Sequence, residues 1–392
     1  MKIEDRIARH IKEIPPSGIR RFFDIVSTMN DANAISLSVG EPDFATPWNI
    51  SESAIFAIEK NYTHYTGNAG LPELRQWICR YYQERYGLKY QIDEALVTVG
   101  ASEGIDLALR ALLEPGEEVL IPSPSYVSYA PGVKLAGGVP VEMPTYMENA
   151  CKVTPEDIRR AVTPRTKAII LPYPNNPTGA ILTEEELRDI ADVIAKTEMV
   201  VISDEIYSEL TYGRRHASIA SMEGMQERTV VINGFSKAFA MTGWRLGYLL
   251  GPLPLIKQML KIHQYTMLCA STMSQYAGIE ALKSGIETGF AQVQKMVREY
   301  DHRRHTLLKG LQEIGLPCFT PEGAFYAFPQ IKQLGMSSED FCRRLLEEKK
   351  VAVVPGNAFG ESGEGYVRIS YASSMNNIRK ALERMDAFVK GK

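Results

Sequence analysis

The 392-residue sequence lacks a strong excess of charge of either sign. It contains 44 lysines and arginines against 47 aspartates and glutamates, which gives a formal net charge of −3. A chain this close to neutrality has no overall electrostatic attraction to nucleic acids or anionic lipids. No apolar run approaches the roughly 20 residues of a membrane-spanning helix. The composition therefore predicts a globular protein with neither a nucleic-acid partner nor a membrane partner.

The sequence is also poor in residues that form disulfide frameworks and metal sites. Its five cysteines are odd in number and include no Cys-x-x-Cys pair, so we expect free thiols and no metal site. The first residues carry charges of both signs and lead into no apolar stretch, which predicts no secretory signal and a cytoplasmic location. Neither a Gly-x-Gly-x-x-Gly fingerprint nor a phosphate-loop motif is present, which argues against dinucleotide binding and nucleoside-triphosphate hydrolysis.

The middle of the chain alternates short β-branched runs with helical patterns. Strands are predicted at 96–99, 119–121, 139–143, 168–171, 200–203, 229–233 and 248–250. A helix is predicted at 103–113, and Thr183 begins another with a capping-box pattern. Strands that alternate with helices indicate an α/β fold with a mostly parallel sheet covered on both faces.

The last hundred residues follow a different pattern, typical of a small α+β domain. One long helix is predicted at 286–314, with shorter ones at 338–348 and 375–389 and strands at 325–328, 351–354 and 367–370. We therefore divide the chain into an N-terminal segment (1–48) that packs with the small domain, a large domain (49–290) and the small C-terminal domain (291–392).

Polar side chains follow three of the predicted strands. Asn176 comes after the strand at 168–171, Asp204 and Tyr207 after the strand at 200–203, and Lys237 and Arg245 after the strand at 229–233. Each residue alone has an ordinary structural explanation, such as a helix cap or a turn. Because function in parallel sheets gathers at the carboxyl ends of the strands, their joint arrangement predicts one shared site.

With these residues the sequence resembles the fold type I aminotransferases that depend on pyridoxal 5′-phosphate (PLP), in the class I/II aspartate and aromatic aminotransferase family. The match extends from Ser17 to Tyr371 and is nearest to the prokaryotic branch of aromatic and N-acetyl-diaminopimelate aminotransferases. The resemblance implies a large domain with a seven-stranded, mostly parallel sheet between helices, plus a small α+β domain. It also implies a ping-pong reaction on small amino acids and 2-oxo acids.

The resemblance assigns the central catalytic roles. Lys237 matches the lysine that forms the Schiff base (internal aldimine) with PLP and moves the Cα proton. Asp204 matches the carboxylate that faces the pyridine nitrogen, and Tyr207 and Asn176 match the groups that contact the cofactor's O3′. Glu205 matches no family role, and we interpret it as structural.

A second group matches the family's phosphate-binding residues. Arg245 corresponds to the phosphate-binding arginine, whose fork suits a dianion. Ala101 and Ser102 open a helix whose backbone amides would cradle the phosphate, and Ser236 would add a hydroxyl. Many relatives carry serine where this chain has Gly234, which places one phosphate contact in doubt.

Further matches concern the cofactor ring, the substrate and the assembly. Tyr126 matches the aromatic residue that stacks on the ring. Arg368 matches the arginine that binds the substrate α-carboxylate, assisted by the backbone of Gly40 and by Asn176. Tyr65 matches the tyrosine that reaches the phosphate of the neighbouring subunit, which implies a homodimer with shared active sites.

The amino donor is predicted to be aromatic, with glutamate and 2-oxoglutarate as the partner pair. Dicarboxylate-specific relatives need a second cation, but the corresponding turn carries Ser102 and residues 264–275 include no Arg or Lys. The expected pocket wall suits an apolar or aromatic side chain: Ile19, Phe22, Tyr129 and Phe325. N-acetyl-diaminopimelate, alanine or aspartate remain alternative donors.

Two other functions compete with transamination. A carbon–sulfur β-lyase would use the same fold and cofactor, but relatives of that type often have histidine in place of Tyr207. A regulator with this fold usually carries a DNA-binding module, for which the 45 or so residues before the large domain leave no room.

Overall fold

The computed structural model describes residues 2–16, 18 and 33–391. The helices are α1 (Arg9–Lys12), α2 (Trp48–Glu59), α3 (Pro72–Tyr86), α4 (Ala101–Leu112), α5 (Tyr129–Leu135), α6 (Pro155–Ala161), α7 (Glu184–Ile194), α8 (Leu253–Thr266), α9 (Thr272–Glu287), α10 (Ala291–Ile314), α11 (Ser338–Lys349) and α12 (Met375–Val389). Within this part of the chain, no helix is both long and apolar enough to cross a membrane.

The strands form one large sheet and two small ones. They are β1 (Ile35–Ser36), β2 (Ala95–Thr98), β3 (Glu118–Ser123), β4 (Val139–Pro144), β5 (Thr166–Leu171), β6 (Val200–Asp204), β7 (Thr229–Gly234), β8 (Gly247–Leu250), β9 (Tyr326–Ala327), β10 (Val351–Ala352), β11 (Val354–Pro355) and β12 (Val367–Ser370).

The large sheet has seven strands in the order β2-β8-β7-β6-β5-β3-β4. Strand β8 runs antiparallel to both of its neighbours, whereas the other pairs are parallel. Strands β2, β3, β7 and β8 are buried along their whole length. A sheet covered on both faces favours the continuous β-branched runs seen in the sequence, so the predicted α/β fold is confirmed.

The order of the strands positions the candidate site. Strands β5, β6 and β7 are adjacent and parallel, and their carboxyl ends therefore lie at one edge of the sheet. Asn176, Asp204 and Lys237 follow or close these three strands. The topology brings to one edge residues that lie up to about sixty positions apart in the sequence.

The N-terminal segment contacts the C-terminal part of the chain. Strand β1 pairs in parallel with β10, in the register Ile35↔Val351 and Ser36↔Ala352. A three-stranded antiparallel sheet of order β11-β12-β9 lies in the same C-terminal part. These pairings support the proposed packing of residues 1–48 with the small domain, whose boundaries stay a prediction.

Two details of the predicted C-terminal elements are wrong. The helix expected at 286–314 is two helices, because Gly289 and Phe290 have φ of +62° and +61° and separate α9 from α10. The strand expected at 351–354 is also divided, since β10 pairs with β1 and β11 pairs with β12. The capping box at Thr183 is confirmed, because its hydroxyl accepts from the Glu186 amide at 3.2 Å.

Candidate active site

A cavity of about 660 Å³ opens at the carboxyl edge of the large sheet. All but one of the residues predicted to be catalytic, to bind the cofactor or to bind the substrate α-carboxylate line it: Gly40, Ala101, Ser102, Tyr126, Asn176, Asp204, Tyr207, Ser236, Lys237, Arg245 and Arg368. The exception is Tyr65, which is 82% exposed and does not line the cavity of its own chain.

Lys237 supplies a half-buried amine in the turn after β7. Its Nζ donates a hydrogen bond to the backbone oxygen of Gly40 at 2.7 Å. Burial lowers the pKa of Lys237 to about 8, and the nearby cations Arg368 and Arg245 add to this effect while Glu41 opposes it. A substantial fraction of this amine is therefore neutral near physiological pH, which makes it available as a base or nucleophile.

Asp204 places a buried carboxylate at the end of β6. Burial raises its pKa to about 6, although the carboxylate accepts hydrogen bonds from Tyr129 and from the backbone. The Tyr129 hydroxyl donates to Oδ2 at 2.8 Å, and the Ile206 amide donates to Oδ1 at 3.2 Å. Tyr129 was expected only as a pocket wall; it lines the cavity, but its hydroxyl also holds Asp204.

Glu205 is fully buried and does not line the cavity. Its carboxylate accepts from the hydroxyls of Ser218 at 2.5 Å and Ser203 at 3.0 Å. His216 Nε2 lies 3.3 Å from its other oxygen. This set of contacts supports the structural interpretation of Glu205, because a buried carboxylate needs such partners.

The first turn of α4 and Arg245 form an anion-binding corner. Gly100 precedes the helix with φ of +82°, and no side chain caps the helix N-terminus, so the first backbone amides are free to bind an anion. A Cβ at Gly100 would lie 2.5 Å from Nη2 of Arg245, so glycine is needed for the arginine to approach. Arg245 itself has φ of +51° and donates to the Thr242 oxygen at 3.0 Å.

The backbone explains the glycine at position 234. Gly234 lies opposite Gly247 in the β7–β8 register. A Cβ at position 234 would lie 3.0 Å from both the Gly247 Cα and the Leu246 oxygen. The close approach of β8 therefore makes a side chain at position 234 tight, and β8 would have to shift slightly to accept the serine that many relatives carry.

Arg368 brings a buried guanidinium to the other side of the cavity. Its Nη1 donates to the side-chain oxygen of Asn176 at 3.0 Å, and Nη2 donates to the backbone oxygen of Ser38. The guanidinium lies 4.6 Å from the ring centroid of Tyr326 and 5.0 Å from that of Phe359. Its Nε is buried and, within the part of the chain that the structure describes, has no hydrogen-bond partner. A buried donor of this kind would be satisfied by a hydrogen bond to a ligand.

The expected pocket wall is only partly correct. Ile19 and Phe22 lie outside the described residues. Phe325 is fully buried and does not line the cavity, whereas its neighbour Tyr326 does. Adjacent residues of a strand point to opposite faces, so a one-residue difference reverses the assignment.

Sequence reasoning missed several residues that line the cavity, among them Tyr326 and Glu41, which carry polar groups. The period-two alternation of the 325–328 strand could have suggested Tyr326 as readily as Phe325. Glu41 directly follows Gly40, whose backbone oxygen accepts a hydrogen bond from Lys237. Only this long-range contact shows that Glu41 lies near Lys237.

Comparison with known proteins supports what the fold and the site indicate. The sequence matches the family of class I and II aminotransferases over residues 32–385. The Bacillus subtilis (strain 168) protein YugH is 52% identical over 384 residues, 98% of each chain. An aspartate aminotransferase of Pyrococcus abyssi (strain GE5 / Orsay) is 47% identical over 381 residues, 97% of each chain.

A solved structure agrees in fold. The aromatic aminotransferase from Pyrococcus horikoshii OT3 has a TM-score of 0.90 and 46% sequence identity, with 95% of this chain and 99% of that chain covered. The chain therefore belongs to the aminotransferase class I and II family, with the fold type I architecture. It is an aminotransferase, an enzyme that transfers an amino group between carbon skeletons.

Proposed function

We propose that this aminotransferase uses PLP to move the amino group of an aromatic L-amino acid, with glutamate and 2-oxoglutarate as the partner pair, in a ping-pong reaction. The observation that carries the proposal is the Lys237 amine, whose pKa burial lowers to about 8. It shares one cavity with the Asp204 carboxylate and the guanidinium groups of Arg245 and Arg368.

The residues present fit the phosphate of PLP. The uncapped amides of Ala101 and Ser102 and the fork of Arg245 offer hydrogen bonds to a dianion at one corner of the cavity. The Ser236 hydroxyl lines the same cavity. The geometric need for glycine at position 100 supports this assignment, because it lets the arginine meet the helix N-terminus.

The opposite end of the site fits a protonated heterocycle. Asp204 would hold a proton on the pyridine nitrogen, with Tyr129 keeping the carboxylate in place. Tyr207 and Asn176 would contact the cofactor's phenolic oxygen, and Tyr126 would stack on its ring. When bound, PLP supplies the carbonyl carbon for the amino group and an electron sink for the Cα electrons.

The chain's own groups would orient the substrate and move its proton. Arg368, with Asn176 and the backbone of Gly40, would bind the α-carboxylate. This holds the substrate Cα near the Lys237 amine, which accepts the Cα proton because it is partly neutral at physiological pH.

The charges in the cavity support a donor with an uncharged side chain. Among the described lining residues, the cations are Lys237, Arg245 and Arg368, and the assignments above use each of them once. Glu41 also lines the cavity and would repel a second substrate carboxylate. The same repulsion acts on the second carboxylate of aspartate, glutamate, 2-oxoglutarate and N-acetyl-diaminopimelate. It therefore favours an aromatic donor or alanine over the dicarboxylates, and aspartate and N-acetyl-diaminopimelate stay alternative donors that the half-reaction below tests.

An exposed apolar surface supports a homodimer with shared sites. Tyr65 and Tyr265 are 82% and 86% exposed, and Met267 and Leu268 are 50% and 39% exposed. The segment that carries Tyr65 lies against the segment that carries Met267 and Leu268, because the Asn68 side chain donates a hydrogen bond to the Leu268 backbone oxygen at 2.8 Å. Clustered exposed apolar residues mark association surfaces, and Tyr65 would reach the partner's phosphate corner.

Free thiols at all five cysteines are in keeping with a cytoplasmic enzyme.

The decisive experiment is a half-reaction followed by absorbance. PLP-loaded protein is mixed with one L-amino acid at a time, without 2-oxo acid: Phe, Tyr, Glu, Asp, Ala or N-acetyl-L,L-diaminopimelate. We expect a rapid change of the cofactor's absorbance with Phe, Tyr and Glu. A response confined to Asp and Glu, or to the diaminopimelate derivative and Glu, would contradict the aromatic assignment.

A variant tests the lysine directly. Lys237→Ala should lose both turnover and covalent capture of PLP, whereas Lys196→Ala, which alters an exposed lysine, should keep both. Retained turnover in Lys237→Ala would refute the mechanism. Release of pyruvate and ammonia from cystathionine without a 2-oxo acid would indicate the β-lyase instead.

A further inference from the structure

We propose that Tyr326 is a positioning residue that acts on the reaction through Tyr207. The inference rests on the proposed function, because Tyr207 is there assigned to the cofactor's phenolic oxygen. The Tyr326 hydroxyl lies 2.8 Å from the Tyr207 hydroxyl. Both side chains are buried and both line the cavity.

The strand pairing holds Tyr326 firmly in place. It lies in β9, opposite Ser370 of β12 in the register, and its side chain is fully buried. The guanidinium of Arg368 lies 4.6 Å from its ring centroid. A ring held by a strand on one side and a cation on the other has little freedom to move its hydroxyl.

Gly40 leaves the space that this hydroxyl occupies. A Cβ at position 40 would lie 2.6 Å from the Tyr326 hydroxyl oxygen but 3.9 Å from Nη1 of Arg368. Glycine at position 40 thus leaves room for the Tyr326 hydroxyl, before any substrate is considered. Tyr326 therefore lies beside three of the proposed catalytic and binding groups: Tyr207, Arg368 and Gly40. The Gly40 oxygen in turn accepts a hydrogen bond from Lys237 Nζ.

The single proton on each phenol determines how Tyr326 affects the hydrogen bond that Tyr207 donates. Burial raises the pKa of Tyr207 and of Tyr326, so both phenols keep their single proton. Tyr207 can donate to only one acceptor at a time. If Tyr207 donates to the cofactor's phenolic oxygen, then Tyr326 must donate to the Tyr207 hydroxyl. The hydrogen bond from Tyr326 then strengthens the hydrogen bond from Tyr207 to the cofactor.

Removal of the Tyr326 hydroxyl should therefore weaken the bond from Tyr207. In Tyr326→Phe loaded with PLP and free of substrate, we expect the midpoint of the pH-dependent absorbance change to rise by about 0.5 pH unit, a fraction of what one neutral hydrogen bond contributes. The kcat should fall roughly fivefold, whereas KM for the amino donor should change less than twofold, because the ring under Arg368 is kept.

The matched control is Tyr366→Phe. Tyr366 is also buried, and its hydroxyl accepts one hydrogen bond, from Gln330 at 3.1 Å, without lining the cavity. This variant should keep the wild-type midpoint, kcat and KM. An unchanged midpoint in Tyr326→Phe, or a rise in KM at constant kcat, would overturn the proposal.

A double-mutant cycle tests whether Tyr326 acts through Tyr207. In a Tyr207→Phe background, the further change Tyr326→Phe should leave the midpoint where Tyr207→Phe alone has moved it. Additive shifts of the two substitutions would refute a route through Tyr207.

A measurement on PLP-free protein keeps the test independent of turnover. Gly40→Ala should lower thermal stability, because its methyl group meets the Tyr326 hydroxyl, and the added change Tyr326→Phe should restore most of the loss. Gly67→Ala is the control, since a Cβ there would meet only one atom, at 3.9 Å. No rescue by Tyr326→Phe would show that this hydroxyl does not occupy the space beside Gly40.

The outcomes separate the two proposals. If wild-type protein and Tyr366→Phe bind no PLP and show no half-reaction, the proposed function fails. If both react normally and Tyr326→Phe behaves like them, only the role of Tyr326 fails.

Discussion

The substitution Asp204→Asn should make the PLP-free protein more stable while abolishing its activity. Asp204 is buried and its pKa is raised from 3.8 to about 6. Between these two pH values the folded state holds the proton more tightly than the unfolded state does. Stability contributed at this position is therefore greatest below pH 3.8 and declines as pH rises to about 6.

The size of the effect follows from the pKa rise. A rise from 3.8 to about 6 corresponds to roughly 3 kcal/mol, at 1.36 kcal/mol for each unit. Asparagine has nearly the same shape and carries no charge to desolvate. Its side-chain oxygen can still accept from the Ile206 amide, which now bonds to Oδ1 at 3.2 Å. Asp204→Asn should thus gain up to about 3 kcal/mol above pH 6.

The assay is urea unfolding of PLP-free protein at intervals from pH 4 to pH 8. The stability gain of Asp204→Asn over wild type should be large at pH 7 and small at pH 4. Asp189→Asn, at an exposed position of α7, is the control and should show no such trend. Added PLP should then stabilise wild type more than Asp204→Asn, because only the carboxylate can pair with a protonated ring nitrogen.

Two results would refute this reasoning: an Asp204→Asn protein less stable than wild type at pH 7, or a gain in unfolding free energy that does not depend on pH. Either would show that burial does not destabilise the charged form of Asp204. Greater stability joined to lost turnover is the usual signature of a residue kept for function rather than for folding.

Three further substitutions test other parts of the site. Arg368→Lys should raise KM for the amino donor by about 10-fold to 100-fold, because an ammonium cannot form the bidentate pair; an unchanged KM would exclude Arg368 from carboxylate binding. Arg245→Gln should weaken PLP binding by about 10-fold or more, through the loss of a charge-assisted bond to phosphate, as measured by equilibrium titration. Gly234→Ser should destabilise the protein by about 1–3 kcal/mol through overpacking against β8, and a neutral result in thermal unfolding would show that β8 can move.

The main architecture was accessible from sequence because its signals are local. The strand predicted at 367–370 and the helix at 375–389 match β12 and α12 in full. Each of the seven large-sheet strands also overlaps its prediction. Short β-branched runs ended by Gly, Pro or Asn carry this information residue by residue. The break at Gly289 was missed although its signal is local: Gly289 has φ of +62°, and Phe290 folds back onto Gly285, where a Cβ would lie 2.6 Å from the Phe290 ring.

Contacts between distant elements were less accessible. The ends of adjacent parallel strands can be predicted to meet, which is why Asp204 and Lys237 were found. No local pattern connects Tyr129 to Asp204, 75 positions away, or Tyr207 to Tyr326, 119 positions away. The sequence shows two more tyrosines in apolar surroundings, and only the folded structure shows that their hydroxyls meet the side chains of Asp204 and Tyr207.

The balance of charge in the cavity suits the proposed binding of a cofactor phosphate and a substrate carboxylate. Among the residues that the structure describes, Lys237, Arg245 and Arg368 line the cavity together with only two carboxylates, those of Glu41 and Asp204. The two arginines lower the pKa of Lys237 beyond the effect of burial, so the cations are held close enough to repel one another. A phosphate at Arg245 and a carboxylate at Arg368 would each remove part of that repulsion. Binding of these anions would therefore raise the proton affinity of the Lys237 amine at the stage when it must accept the Cα proton.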